Sequence, residues 1–129
     1  AETRALEVLH HLRMEEKKDL RAGNLTIADR KRLEIAKALA TRPKLLLLDE
    51  VMAGLRPTEV DEMVTIIKRL REDGMTVFVI EHIMRAIMAL SDRIAVLHFG
   101  TKIAEGAPQE IARDERVIKA YLGEDYGAA

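Results

Sequence analysis

Two short apolar runs, each ending in an acid, constrain this chain more than any other feature. Four consecutive leucines, Leu45–Leu48, lie between Pro43 and the pair Asp49-Glu50. A second run, Met75–Ile80, ends in Glu81-His82. Such a run, bounded by a breaker and by charges, reads as a strand buried on both faces. Between them Val60, Met63, Ile66, Ile67 and Leu70 recur at helical spacing, and Gly74 stands where a helix C-cap belongs. Strand, helix and strand in that order predict a parallel β-α-β arrangement. Ligands of such sheets sit beyond the C-terminal strand ends, which is where both acidic pairs fall.

The flanking sequence extends the pattern. Ala5, Leu6, Leu9 and Leu12 place a helix near the N-terminus, and Gly23-Asn24 marks a turn. Thr26 followed by Asp29 resembles a capping box and opens a second helix, which Pro43 stops. After His82 come a short helix over 83–90, a strand over 93–98, a turn at Phe99-Gly100-Thr101 and a strand over 102–104. Gly106 and Pro108 open a last helical region to Leu122, with a frayed tail expected over 123–129.

Composition narrows the function classes. The 129 residues are 48% hydrophobic and 33% charged, and the formal net charge is −1, which fits one globular domain and argues against a dedicated nucleic-acid binder. There is no cysteine, so disulfides, thiolate metal sites and cysteine nucleophiles are excluded. Aromatics at 3% leave no base-stacking platform. No apolar run approaches the roughly 20 residues of a membrane helix, and no signal-peptide core follows the polar Ala1-Glu2-Thr3-Arg4, so direct membrane insertion is not expected. His10-His11 reads as a solvated helix face, since adjacent helical positions diverge.

Four apolar residues followed by Asp-Glu match the Walker B pattern of nucleotide hydrolases. A rigid strand can present Asp49 to the shell of a Mg²⁺ ion, and Glu50 can orient and deprotonate an attacking water. His82, at a corresponding strand end, can donate a hydrogen bond to a phosphate. The plain alternative is a strand ending in two solvated acids, with a surface histidine in a loop.

The ordered run of motifs from about Leu20 to Asp125 resembles the C-terminal half of an ABC transporter ATPase subunit. The helix Arg32-Leu33-Glu34-Ile35-Ala36-Lys37-Ala38-Leu39 is followed by Arg42-Pro43-Lys44 and Leu45–Glu50. Ala53-Gly54-Leu55 stands in the D-loop place and Ile80-Glu81-His82 in the switch-histidine place. Asp92-Arg93-Ile94, the Gly100 hairpin, Ile103-Ala104-Glu105-Gly106 and Pro108 follow in order. The closing Val117–Asp125 segment is similar to the branched-chain amino acid importer type.

The resemblance implies an α/β fold: part of a P-loop NTPase (RecA-like) parallel sheet with flanking helices, its P-loop strand absent. It implies that 1–42 are the end of a helical subdomain with the signature helix, and that 43–129 are part of the catalytic core. It implies ATP and Mg²⁺ as cofactors of the complete subunit. Asp49 would reach the metal through water, Glu50 would be the base, and His82 would contact the γ-phosphate. Leu25-Thr26-Ile27-Ala28-Asp29 would be the signature segment facing the nucleotide of an opposite subunit, and Gly54 would lie in the D-loop. The implied partners are a second ATP-binding subunit and transmembrane permease subunits, at the cytoplasmic face of the membrane.

The sequence also departs from that family's pattern. No pair among its seven glycines has the Gly-x4-Gly-Lys spacing of a P-loop, and the single Gln, Gln109, lies too late to be a Q-loop. A fragment that lacks the main phosphate cradle and is inactive alone is therefore expected. The signature segment lacks the family's two glycines, so a ligand role and a plain helix cap fit Thr26 and Asp29 equally. Arg56 stands where Asp or Asn is usual, and Val51 where Pro is common. A non-catalytic interaction module, or a split-ATPase half without nucleotide affinity, is the competing reading. Without the P-loop strand, the strand ending at Ile80 and the one beginning near Arg93 should be left with unpaired edges.

Overall fold

The computed structural model describes residues 1–122. The tail over 123–129, including Gly123-Glu124-Asp125 of the closing motif, lies outside the described residues. The fold is mixed α/β, in two compact units that divide between Glu81 and His82.

In the first unit, helix α1 (Glu2–His11) leads through two 3-10 turns, Glu15–Lys17 and Ala22–Asn24, to α2 (Ile27–Ala40). Strand β1 (Leu45–Asp49), helix α3 (Pro57–Glu72) and strand β2 (Thr76–Ile80) follow. The predicted β-α-β order holds: β1 and β2 pair in parallel, from Leu45 opposite Thr76 to Asp49 opposite Ile80. Helix α3 starts at Pro57, whose fixed φ suits a first helical turn, and buries Val60, Met63, Ile66, Ile67 and Leu70. That stripe and Leu46 and Leu48 of β1 belong to the unit's core, together with Ile35 and Leu39 of α2.

Two expectations are corrected here. Strand β1 is buried on one face only: Leu46 and Leu48 are inside, whereas Leu47 is 67% exposed and Leu45 is also out. Phe78 and Ile80 of β2 share that open face, because parallel register sets Phe78 beside Leu47. An unbroken apolar run shows that both faces are apolar, not that both are covered. In α1 the buried residues are Val8 and, just past its end, Leu12, while Ala5 and Leu6 are exposed.

The second unit begins at His82. Helix α4 (Met84–Leu90) leads into β3 (Ile94–His98) and β4 (Thr101–Gly106), an antiparallel hairpin with a register shift between Val96 and Leu97. Its two-residue turn, Phe99-Gly100, has positive φ at both positions, as the tightest hairpin turns require. Helix α5 (Pro108–Arg113), the single turn α6 (Glu115–Val117) and a π-helical turn (Ile118–Leu122) close it. Ile87, Leu90, Ile94, Val96, Ile111 and Val117 are buried, and the Tyr121 hydroxyl donates to the Leu97 carbonyl.

Among the described residues β2 pairs with β1 alone and β3 with β4 alone, which agrees with the unpaired edges expected from the sequence. Edge N–H and C=O groups beside open apolar side chains favour self-association. Leu47→Lys combined with Phe78→Lys should reduce concentration-dependent association in sedimentation velocity, at a stability cost of only about 0.5 kcal/mol per site. Met63→Ala, at a fully buried position, should instead cost about 2–5 kcal/mol in urea unfolding.

Candidate functional site

The C-terminal ends of β1 and β2 are level. Asp49 lies opposite Ile80, and the next residue, Glu50, donates its N–H to the Ile80 carbonyl at 2.8 Å. The Asp49 and Glu50 side chains are exposed. Glu50 has φ +49°, in the left-handed region that residues with a Cβ seldom adopt. This redirects the chain as soon as it leaves the strand. Ala53 N–H donates to the Glu50 carbonyl at 3.3 Å, and Leu55 N–H to the Met52 carbonyl at 3.2 Å. Gly54, at φ +77°, takes the second left-handed step, where a Cβ would add strain.

Met52 is fully buried inside this turn. Its N–H donates to Glu81 Oε1 at 2.9 Å. The other oxygen, Glu81 Oε2, is buried and has no hydrogen-bond partner among the described residues. Asp49, Glu50 and Glu81 are thus gathered at the ends of β1 and β2. His82 is exposed and follows Glu81 directly, as the first residue of the second unit. Arg56, which follows this turn, pairs locally: Glu59 accepts from its N–H and its guanidinium, each at 2.9 Å, and so caps α3.

The segment Leu25–Asp29 is held by a cap and a charge network. Leu25 and Ala28 are buried, while Ile27 is 63% exposed at the first turn of α2. Thr26 Oγ1 accepts the Asp29 N–H at 3.2 Å and donates to the Asp29 carboxylate at 2.9 Å. The cap read from the sequence therefore exists. Asp29 and Arg32 are both buried. Lys17 hydrogen-bonds the Asp29 carboxylate, Arg32 lies 4.0 Å from it, and Arg32 pairs with Glu62 of α3. Burial by itself would raise the Asp29 pKa; hydrogen bonds from Lys17 and Thr26 and the charges of Lys17 and Arg32 outweigh it and hold the carboxyl below its ordinary value.

The roles of Glu81, Lys17 and Arg32 are not announced by the sequence. Glu81 was visible as an acid at a strand end, but its bond to Met52 spans the β-α-β crossover. Lys17 meets Asp29 across an irregular connection, so no local periodicity announces it.

Comparison with known proteins fits this geometry. Residues 1–53 match the ABC transporter family model, and residues 101–127 match that of the branched-chain amino acid ATP-binding cassette transporter. The chain is 47% identical over 104 residues to the high-affinity branched-chain amino acid transport ATP-binding protein BraF of Pseudomonas aeruginosa, covering 80% of this chain and 41% of that protein. It is 43% identical over 122 residues to the corresponding LivG protein of Escherichia coli, covering 94% of this chain and 48% of LivG. The fold superposes with TM-score 0.84 and 30% identity on the ADP conformation of an ATP-binding cassette of an ABC transporter, covering 95% of this chain and 50% of that one.

The chain belongs to the ABC transporter ATP-binding family. It spans about half the length of the curated relatives it matches. Among the described residues no group of three or more His, Asp or Glu is arranged to hold a metal ion, and no helix is long and apolar enough to cross a membrane.

In this ABC chain the Asp29 network should make stability depend on pH. A carboxyl depressed in the folded state stabilises fully above its unfolded value, 3.8, and loses that contribution as pH falls through the folded value. Asp29→Asn should therefore cost about 1–3 kcal/mol at pH 7. The gap to the parent chain should close as pH falls below the ordinary aspartate range, measured by urea unfolding across that series.

Proposed function

We propose that this chain supplies the water-activating side of an ATPase site in an ABC transporter that powers import, with branched-chain amino acids as cargo. The observation that carries the reading is the Asp49-Glu50 pair at the level ends of two parallel strands, with Glu50 on a left-handed turn. Backbone outliers of this kind cluster at working sites. The match of residues 101–127 to the branched-chain family model supports the cargo, even though a lipopolysaccharide export ATP-binding protein, LptB of Escherichia coli, is 40% identical over 125 residues.

The residues fit part of a Mg-ATP site. Mg²⁺ is commonly held by one or two carboxylates together with substrate phosphates and water, and an exposed Asp49 offers one such carboxylate. Bound Mg²⁺ would offset phosphate charge. Glu50 holds the water and takes its proton on the carboxylate, and His82 donates to the terminal phosphate. Leu25–Asp29 form the face toward a second ATP-binding subunit, and Gly54 shapes the D-loop turn. In this reading 1–42 close a helical subdomain and 43–129 belong to the catalytic core. The subunit works beneath transmembrane permeases at the cytoplasmic face.

One observation favours a narrower second reading. The sequence has no Gly-x4-Gly-Lys segment, so backbone donors for the phosphates must come from elsewhere. The chain would then be a split half with no affinity of its own.

Calorimetric titration with Mg-ATP tests the missing affinity, and turnover of the completed assembly separates the two readings. The chain alone should show no binding, and binding should appear once the P-loop-bearing half of a branched-chain relative is added. In that assembly Glu50→Gln should lower turnover by about 10²- to 10⁴-fold with affinity retained. Binding by the chain alone, lost in Asp49→Ala, would mean that its own groups replace the P-loop. An assembly that binds Mg-ATP but never hydrolyses it would leave only the split-half reading.

A further inference from the structure

The reading above gives Glu81 no task, yet the turn that carries Glu50 depends on it. The β1–β2 ladder ends where Glu50 N–H donates to the Ile80 carbonyl. The next buried donor, Met52 N–H, has no strand carbonyl to use. Buried backbone N–H groups are almost always paired, and here the acceptor is the Glu81 side chain at 2.9 Å. A carboxylate is a stronger acceptor than an amide or hydroxyl at such a place.

Besides the Ala53 bond within the turn, two hydrogen bonds tie the segment around Glu50 to the end of β2. One ties its own N–H to Ile80, and the other ties Met52, two residues on, to Glu81, the residue after Ile80. Both anchors belong to consecutive residues at the end of β2. Between them lies a glutamate held at φ +49°. Without the second anchor the turn loses its tie to Glu81 and is held by the Ile80 and Ala53 bonds to Glu50, so φ of Glu50 can relax toward the common region at about −60°. A rotation of that size re-aims the Glu50 carboxylate while β1 stays in place.

We propose that Glu81 is a positioning residue: its carboxylate, by accepting the Met52 N–H, fixes the left-handed turn that aims Glu50. The proposal rests on Glu50 being the water-activating base. Glu81 touches no reacting atom in this scheme. Its effect passes through the backbone of the turn, so glutamine, which keeps an acceptor oxygen, should serve and leucine should not.

The test uses Glu81→Leu and Glu81→Gln in the 129-residue chain. Amide exchange read by NMR should rise about tenfold or more at Met52 in E81L, since an unpaired buried donor opens readily. The Glu50 HN–Hα coupling should move to a right-handed value. Ile66 and Ile67 of α3 should keep their protection, and E81Q should restore both readouts. Unchanged Met52 exchange in E81L overturns the tie. If E81L loses protection at Ile66 and Ile67, the variant has unfolded. The unmutated chain then decides through a scalar coupling across the hydrogen bond, from Met52 nitrogen to the Glu81 carboxyl carbon; its presence supports the tie and its absence overturns it.

Turnover in the P-loop-completed assembly supplies the second readout. E81L should lower kcat about tenfold or more with KM for ATP little changed, and E81Q should recover it. If Glu50→Gln hydrolyses as fast as the parent there, the base reading falls and Glu81's catalytic relevance falls with it. Normal Met52 exchange removes the tie and leaves the base reading standing.

Discussion

The in-register parallel pairing of β1 with β2 is the constraint on which the rest of the first unit depends. Side chains alternate along a strand, so a slip of one residue would turn Leu46 and Leu48 outward and bring Leu47 and Asp49 inward. Helix α3 prevents that slip. Its five buried side chains recur at a fixed helical period, and its start is pinned by Pro57 and by Glu59 folding back on Arg56. Because α3 joins the two strands directly, its position sets where β2 begins. Level strand ends follow from that, and so does the short reach from Glu81 to Met52.

A second constraint acts at the start of α2. An acid beside a helix N-terminus is favoured by the free N–H groups and the dipole there. The same acid would oppose a phosphate approaching that terminus. In the structure Asp29 faces Lys17 and Arg32, and its hydrogen bonds are with its own helix cap and Lys17. Its charge is thus largely matched within the chain. The start of α2 is a side-chain-capped helix with a buried Ala28 and an exposed Ile27. Such a start, without glycine, does not let the backbone approach a ligand as closely as glycine would.

Much of this was legible from residues alone because it is local. The leucine run, the helical period of α3 and the Thr26 cap each announce themselves within a few positions. What was not legible is non-local. The sequence could not say that Leu47 and Phe78 would stand open on one sheet face, because burial depends on what lies above the strand. The choice of Val8 over Leu6 as the inward side of α1 depends on contacts with α2 and α3, whose placement the helix's own period does not encode. Glu81 is the sharpest case: it sits one residue from the more conspicuous His82, and its significance appears only when Met52 is seen to need an acceptor.

The electrostatics of the strand ends bear on the division of labour proposed for this chain. Asp49, Glu50 and Glu81 gather at one edge, and this sequence brings no glycine-rich loop of N–H donors to meet them. In the proposed site a polyphosphate would approach the exposed Asp49 carboxylate, so its affinity would be supplied by a cation and by donors from another segment. The acids acquire a use only once those groups hold the nucleotide in place. In the proposed site a carboxylate base would face a water that the phosphate already orients, and a small error in its aim would lower the rate. That is the condition under which a strained turn, braced on both sides of Glu50, is worth its conformational cost.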